Sequence, residues 1–260
     1  MRRTATEGRL LVVSPHLDDA VLSCGHVLAR HPGATVCTVL SAPPERNMAT
    51  DWDRASGFAD AFEAMRARRQ EDRQALARLG ACALHLPFCD AQYASPPDRE
   101  RLHTALRRTL AAVRPDLLLM PLGLFHSDHT LVADAMLACL AALRQQASGD
   151  APAAVYAYED VPYRMMDGLV EARLALLAAN RCRVERAELA SANGDPRLGR
   201  LKPAAIAAYR SQLHAFGPDG QANLHAAERY WRVREAAAIA ANGEPGAARP
   251  APGARTTQPS

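Results

Sequence analysis

The chain has 260 residues, 48% hydrophobic and 23% charged, enough apolar material for one substantial core and a length that suits a single α/β domain. Its 31 basic and 28 acidic residues nearly balance at a formal charge of +3, so the clustered basic footprint that a nucleic-acid partner requires is missing. No apolar stretch approaches the length of a membrane span, and the run after the basic start is too short for a signal peptide.

In chain order, Arg9-Leu-Leu-Val-Val13 is too short for a helix and is followed closely by Pro15, which predicts a buried strand. Ala20 to Arg30 has apolar residues at helical spacing, and Ala34 to Leu40 is a β-branched second strand. The polar segment Glu45–Gly57, which contains Trp52, is long enough to be a functional loop across the carboxyl edge of a sheet, or a plain excursion. Phe58 to Leu79 predicts a long amphipathic helix stopped by Gly80; its Arg66, Arg68, Arg69 and Arg73 are interleaved with Glu63, Glu71 and Asp72, the pattern of a solvated face. Ala81 to Phe88 is a third strand, Asp98 to Val113 a helix, Leu117 to Met120 a strand, and Thr130 to Arg144 a helix. Beyond the turn-rich Gln145–Pro152 come a strand at Ala153–Tyr158, a helix at Ala172–Ala179 and a short edge strand at Arg181–Leu189. A loop at Ser191–Pro196 precedes a late helix at Leu201–Phe216 and an alanine-rich terminal helix at Ala222–Ala241. From Asn242 the composition is Gly, Pro, Ala and Arg without periodicity, so the expectation is one domain over 1–241 and a disordered tail over 242–260. The six cysteines form no Cys-x-x-Cys pair and sit mostly in apolar segments, which predicts small buried hydrophobes and a reducing cytoplasm.

Chemistry concentrates at two strand ends, where open α/β sheets build their sites. His16, Asp18 and Asp19 follow the first strand. One imidazole and one carboxylate supply two legs for a cation such as zinc, a catalytic site needs a third leg and an open position, and the adjacent carboxylate is then spare to move protons. The plainer alternative is that both aspartates cap the next helix. A second cluster, Pro121-Leu-Gly-Leu-Phe-His126-Ser-Asp-His129, follows the strand at 117–120. Two histidines three apart fall on one side of a helical turn, so His129 would complete a His/Asp/His set while His126 aims a donor at the same cavity.

The two clusters, His16-Leu-Asp18-Asp19-Ala20 and His126-Ser-Asp128-His129, resemble the His-Pro-Asp-Asp-Glu and His-Pro-Asp-His motifs of the PIG-L (LmbE-like) zinc-dependent N-deacetylases. The resemblance implies His16, Asp19 and His129 as metal ligands, Asp18 as general base and His126, charged, as the electrophilic partner of the scissile carbonyl. Leu17 and Ser127 replace the two prolines and Ala20 the glutamate; none of the three is a ligand. Arg68-Arg-Gln-Glu71, in a helix ending Leu79-Gly80, looks like the family's Arg-x-x-Glu helix, whose arginine lies near substrate. Asp90 stands where family members place a sugar-binding aspartate, and Lys202-Pro-Ala-Ala with Ser211-Gln212 resembles the late Lys-x-x-Ala and Ser-Gln helix. The similarity spans about residues 9–215. It implies a Rossmann-like, mostly parallel sheet in one domain and removal of the acetyl group from an N-acetylated amino sugar or glycosyl metabolite. Arg68, Asp90 and Lys202 become candidate substrate contacts; Glu159, Asp160 and Tyr163, at the end of the strand at 153–158, could line the pocket, with the two carboxylates as substrate contacts or as supports for the groups that line it, or could simply cap the edge. The donor set suits Zn²⁺ and also accommodates Fe²⁺ or Mn²⁺. Three rivals remain: an amidase for a larger amide such as a thiol conjugate, a metal-free binding module on the same fold, and a nucleotide-binding oxidoreductase, the last opposed by the lack of Gly-x-Gly-x-x-Gly after the first strand.

Overall fold

The stretch at Leu10 forms strand β1 (Leu10–Ser14), buried along its whole length in the computed structural model, which describes residues 8–94, 96–146, 151–189, 196–213 and 223–237. Around it lie β2 (Thr35–Ala42), β3 (Cys82–Cys89), β4 (Leu117–Pro121), β5 (Ala154–Tyr158), β6 (Arg183–Ala187) and β7 (Tyr230–Glu235), ordered β3-β2-β1-β4-β5-β7-β6 in one sheet. β1 to β5 are parallel, and β7 runs antiparallel between β5 and β6.

β1 is apolar without alternation because helices cover both faces of the sheet. Leu10 and Val12 point into one layer with α1 (Asp19–Ala29), α3 (Ala61–Arg78) and α7 (Pro196–Ile206). Leu11 and Val13 point into the other, with α4 (Arg99–Val113), α5 (Ser127–Gln145) and α6 (Leu169–Ala179). Each such side chain contributes about 1.5–3 kcal/mol by leaving water, which is what holds the strand ends in place. From β1 the chain works outward through β2 to β3, then crosses back to β4 on the other side of β1. The carboxyl ends of β1 and β4 therefore flank the crevice where the strand order reverses, the place such sheets put their ligands.

Three expectations change. The helix expected over Ala222–Ala241 is not formed by the described part: Tyr230-Trp-Arg-Val-Arg-Glu235 is strand β7, whose aromatic and β-branched residues pair with Tyr158 on one side and Ala187 on the other. The late helix starts earlier and breaks, α7 ending at Ile206 and α8 covering Arg210–Leu213. The break lets Tyr209, 1% exposed, turn inward and donate to Asp72 Oδ1 at 2.9 Å, while Ser211 N and Oγ bind Glu71. Among the cysteines, Cys24, Cys37, Cys139 and Cys182 are buried as expected, but Cys82 is exposed and Cys89 half-buried on the edge strand β3. The segment 45–57 contains a short helix, α2 (Asp51–Ala55). The expected tail from 242 and most of the loop at 191–196 lie outside the described residues. Among the described residues no helix is long and apolar enough to cross a membrane.

Candidate active site

The turn after β1 is tied by Ser14, whose Oγ donates to the His16 carbonyl at 2.7 Å and accepts the Ala20 N–H at 3.0 Å. Leu17 packs against Ala61, Met65 and Tyr93, and Ala20, in the first turn of α1, lies in the core, so two of the three departures from the motif supply apolar packing. Asp18 is the N-cap residue of α1, yet its side chain makes no capping hydrogen bond, and it lines the cavity instead. Capping thus does not account for Asp18.

The second cluster is shaped by Gly123, at φ +86°, where an added Cβ would stand 2.7 Å from Ala133 Cβ. The chain then enters α5 through its N-cap residue His126, and Asp128 and His129 fall in the first turn. His16, Asp19 and His129 come together, one donor atom from each lying within 4.8 Å of the others. His16 Nδ1 is 3.3 Å and His129 Nε2 3.2 Å from Asp19 Oδ2. Tetrahedral zinc at about 2.0–2.2 Å from its ligands separates them by about 3.3–3.6 Å, so these spacings fit such an ion. The remaining ring nitrogens are already engaged by carboxylates: His16 Nε2 meets Asp128 Oδ2 at 3.0 Å, and His129 Nδ1 meets Asp160 Oδ1 at 2.6 Å. That is how metal-binding histidines are oriented and their tautomers fixed, and it leaves the nitrogens that face Asp19 for the ion.

The electrostatics follow from burial. Burial works against charge on both imidazoles, but Asp90, Asp128 and Asp19 hold His16 well above its ordinary value, and Asp19 and Asp160 hold His129 up at about 9. Asp18 is pushed the other way for a carboxyl, up to about 7, by burial and by the neighbouring Asp19. His126 is lowered by burial and by His16, and its Nδ1 accepts the Asp128 N–H at 3.2 Å. With Nδ1 accepting from the backbone, Nε2 is the ring nitrogen left to donate to a ligand.

One cavity of about 450 Å³ is lined by these groups and by Arg68, Asp90 and Gln212. Arg68 is 6% exposed, its Nη1 lies 3.7 Å from Asp90 Oδ2, and neither its Nε nor its Nη1 has a hydrogen-bond partner. Arg66 and Arg73 face solvent as expected of that helix. Three expected substrate contacts do not line the cavity. Asp160 is 0% exposed and sits behind His129, where it also accepts the N–H groups of Gly123 and Leu124 at 2.9 and 3.0 Å. Glu159 is buried against Trp231 Nε1 at 3.1 Å and Arg229. Lys202 is packed against Gly25 with its Nζ 2.8 Å from Glu228, remote from the cavity. Conversely, Trp52, Gln92 and Tyr163 line the cavity. Tyr163 follows a strand end and was legible on that ground; its ring lies 5.1 Å from that of His129.

Residues 11–140 match the family model described as PIG-L, GlcNAc-PI de-N-acetylase. Over 186 residues the chain is 31% identical to a 2′-N-acetylparomamine deacetylase of Streptomyces fradiae, an alignment covering 63% of this chain and 60% of the relative. Among solved structures it resembles a triple mutant of a deacetylase of the teicoplanin biosynthetic pathway, with TM-score 0.66, 26% identity, and coverage of 86% of this chain and 97% of that one. It also resembles the pseudoaglycone deacetylase of an antimicrobial, with TM-score 0.63, 26% identity, and coverage of 90% and 99%.

Proposed function

Because the chain belongs to the PIG-L family, we propose that it is a metal-dependent N-deacetylase that hydrolyses the acetamide of an N-acetylated amino sugar, such as an N-acetylglucosamine unit within a glycosylated small molecule. The observation that carries this reading is the convergence of His16, Asp19 and His129 on one point beside the Asp18 carboxyl, in a cavity that also holds an arginine short of partners.

A divalent ion, zinc for preference, held by His16, Asp19 and His129 would polarise the acetamide carbonyl and make water a competent nucleophile near neutral pH. The chain's own groups do the rest. Asp18, with its carboxyl near 7, takes the proton of the attacking water and returns it to the leaving nitrogen. A cation at the neighbouring Asp19 draws that value down, which favours the ionised form as base. As the C–O bond forms, negative charge develops on the carbonyl oxygen, and His126, which lines the cavity with its Nδ1 taken by the Asp128 N–H, offers its Nε2–H as the donor for it. The C–N bond breaks, giving acetate and a free amine. Arg68, with two unpartnered donor nitrogens, binds substrate oxygens, and Asp90 accepts from hydroxyls; an unsatisfied buried donor is a position that a ligand completes. The free cysteines suit a reducing cytoplasm as the place of action.

The test is acetate release from a panel of N-acetylated amino sugars and their glycosides by zinc-loaded protein. Acetate and amine should appear in equal amounts. Stoichiometric zinc with no acetate from any member of the panel would leave a metal-binding module and sink the deacetylase reading.

A further inference from the structure

The mouth of the cavity carries an aromatic wall that neither motif accounts for. Trp52, 42% exposed, lines it, whereas the groups at the floor are nearly inaccessible: His16 is 9%, Asp19 2% and His129 1% exposed. Trp52 belongs to α2, whose five residues are too few to hold a helix unaided. The helix is nevertheless anchored from several directions. Thr50 and Asp53 form a capping box, the hydroxyl of Tyr93 donates to Asp53 Oδ1 at 2.5 Å, and Thr50 Oγ1 donates to Gln92 Oε1 at 3.2 Å. Gln92 in turn donates to Asp90 Oδ2 at 3.0 Å, on the cavity wall. Only Asp53 of the five α2 residues is buried, so this anchoring adds little to the core. What it does is fix an indole at the entrance.

We propose that Trp52 is a specificity-determining residue whose indole stacks on the ring of the aglycone, and that Tyr93, acting through Asp53, is its positioning residue. The inference rests on the deacetylase reading and deepens it. The acetamide must reach the floor, and in a 2-acetamido sugar it is carried by the carbon next to the anomeric one, so a group attached at the anomeric carbon can extend from the sugar to the mouth. A rigid aromatic face favours a ring there over a flexible chain, because two flat surfaces meet with little ordering cost.

The experiment compares the methyl and p-nitrophenyl glycosides of N-acetylglucosamine with zinc-loaded protein. The wild-type protein should show the lower KM for the aryl glycoside. Trp52→Ala should reduce that preference about 3- to 10-fold, the range for losing one aromatic partner, through KM rather than kcat. Trp52→Phe should keep part of the preference, and Tyr93→Phe should erode it in the same direction. The chain has 2 tryptophans, so in a Trp231→Phe background the emission of Trp52 should be quenched saturably by the p-nitrophenyl glycoside. Acetate release with an unchanged preference in Trp52→Ala, or an equal KM rise for both glycosides, overturns the proposal while the deacetylase reading stands. Saturable quenching with no acetate from either glycoside upholds the stacking and refutes the deacetylase reading.

Discussion

Replacing Asp160 by asparagine exchanges one carboxylate oxygen for an NH₂ group, outside the cavity lining, and should still weaken metal binding. The Asp160 carboxylate accepts three N–H groups: His129 Nδ1 on Oδ1, and Gly123 and Leu124 on Oδ2. Asparagine offers one oxygen and one NH₂. If the oxygen stays with the two backbone donors, the amide N–H faces His129 Nδ1, and the ring must shift its proton to Nε2, the nitrogen 3.2 Å from Asp19 Oδ2 where the ion would bind. If the amide is turned round, its NH₂ opposes two backbone N–H groups, each costing about 1–3 kcal/mol when left unpaired in a 0% exposed site. The first arrangement is the cheaper, so the cost falls on the metal. Losing a carboxylate behind a ligating histidine typically weakens binding about 10- to 100-fold, or roughly 1.4–2.7 kcal/mol. Competition against a chromophoric chelator measures this directly, with thermal unfolding of the metal-free protein as the control for folding. An unchanged zinc Kd in well-folded Asp160→Asn would refute the assignment of Asp160 as the group that fixes the His129 tautomer.

Other consequences follow from the same geometry. Asp18→Asn should retain zinc and lower kcat about 10²- to 10⁴-fold, the usual contribution of general acid–base catalysis; near-normal turnover in the metal-loaded variant would move the base elsewhere. Zinc binding should expel protons, because Asp19 and Asp160 hold His129 up at about 9 in the metal-free chain and Asp90, Asp128 and Asp19 raise His16, and the ion competes with these ring protons. Affinity should then rise with pH up to about 9, and titration calorimetry in buffers of different ionisation enthalpy should report net proton release on zinc binding; buffer-independent heats would refute it. Lys202→Met should cost about 3–5 kcal/mol, because it leaves the buried Glu228 carboxylate without its cation, and should not alter KM. A raised KM with an undiminished Tm would return Lys202 to the substrate.

The parts of this molecule legible in its sequence are those fixed by short stretches of chain. β1 announces itself through Leu10–Val13, and the trio after it falls within four positions, so both a strand end and a set of ligand-type residues can be read within ten residues. The same holds for β4 and the His126–His129 cluster. That the two ends meet was an inference from sheet topology, and β1 does pair with β4. β7 was not legible, since the alanines after it suggested helix while its partners, Tyr158 and Ala187, are some 72 and 43 positions away. Asp160 was found as a residue with two places open to it, since a carboxylate at a strand end can face the cavity or support a group that does; its bonds to the Gly123 N–H and to His129 Nδ1 put it behind the histidine.

Arg68 and Lys202 show why the substrate contacts were the hardest to read. Both are long cations on the buried side of a helix, 6% and 1% exposed, and both match a family pattern. A clue was available for Arg68: in α3 it falls in the stripe Ala61, Ala64, Met65, Asp72, Ala75 and Leu76, where a charge costs free energy unless something compensates it. Lys202 carries the same clue in α7, beside Ala205 and Ile206. What separates them is completion. Lys202 finds Glu228 at 2.8 Å, and that carboxylate also accepts from Tyr230 at 2.6 Å and from the backbone of His26 at 2.8 Å, so nothing is left for a ligand. Arg68 has Asp90 only at 3.7 Å and keeps two donors unpartnered at the cavity wall. Since Glu228 and Asp90 lie 26 and 22 positions from their cations, the sequence marks both arginine and lysine as buried charges needing a partner but does not say which one finds it within the chain.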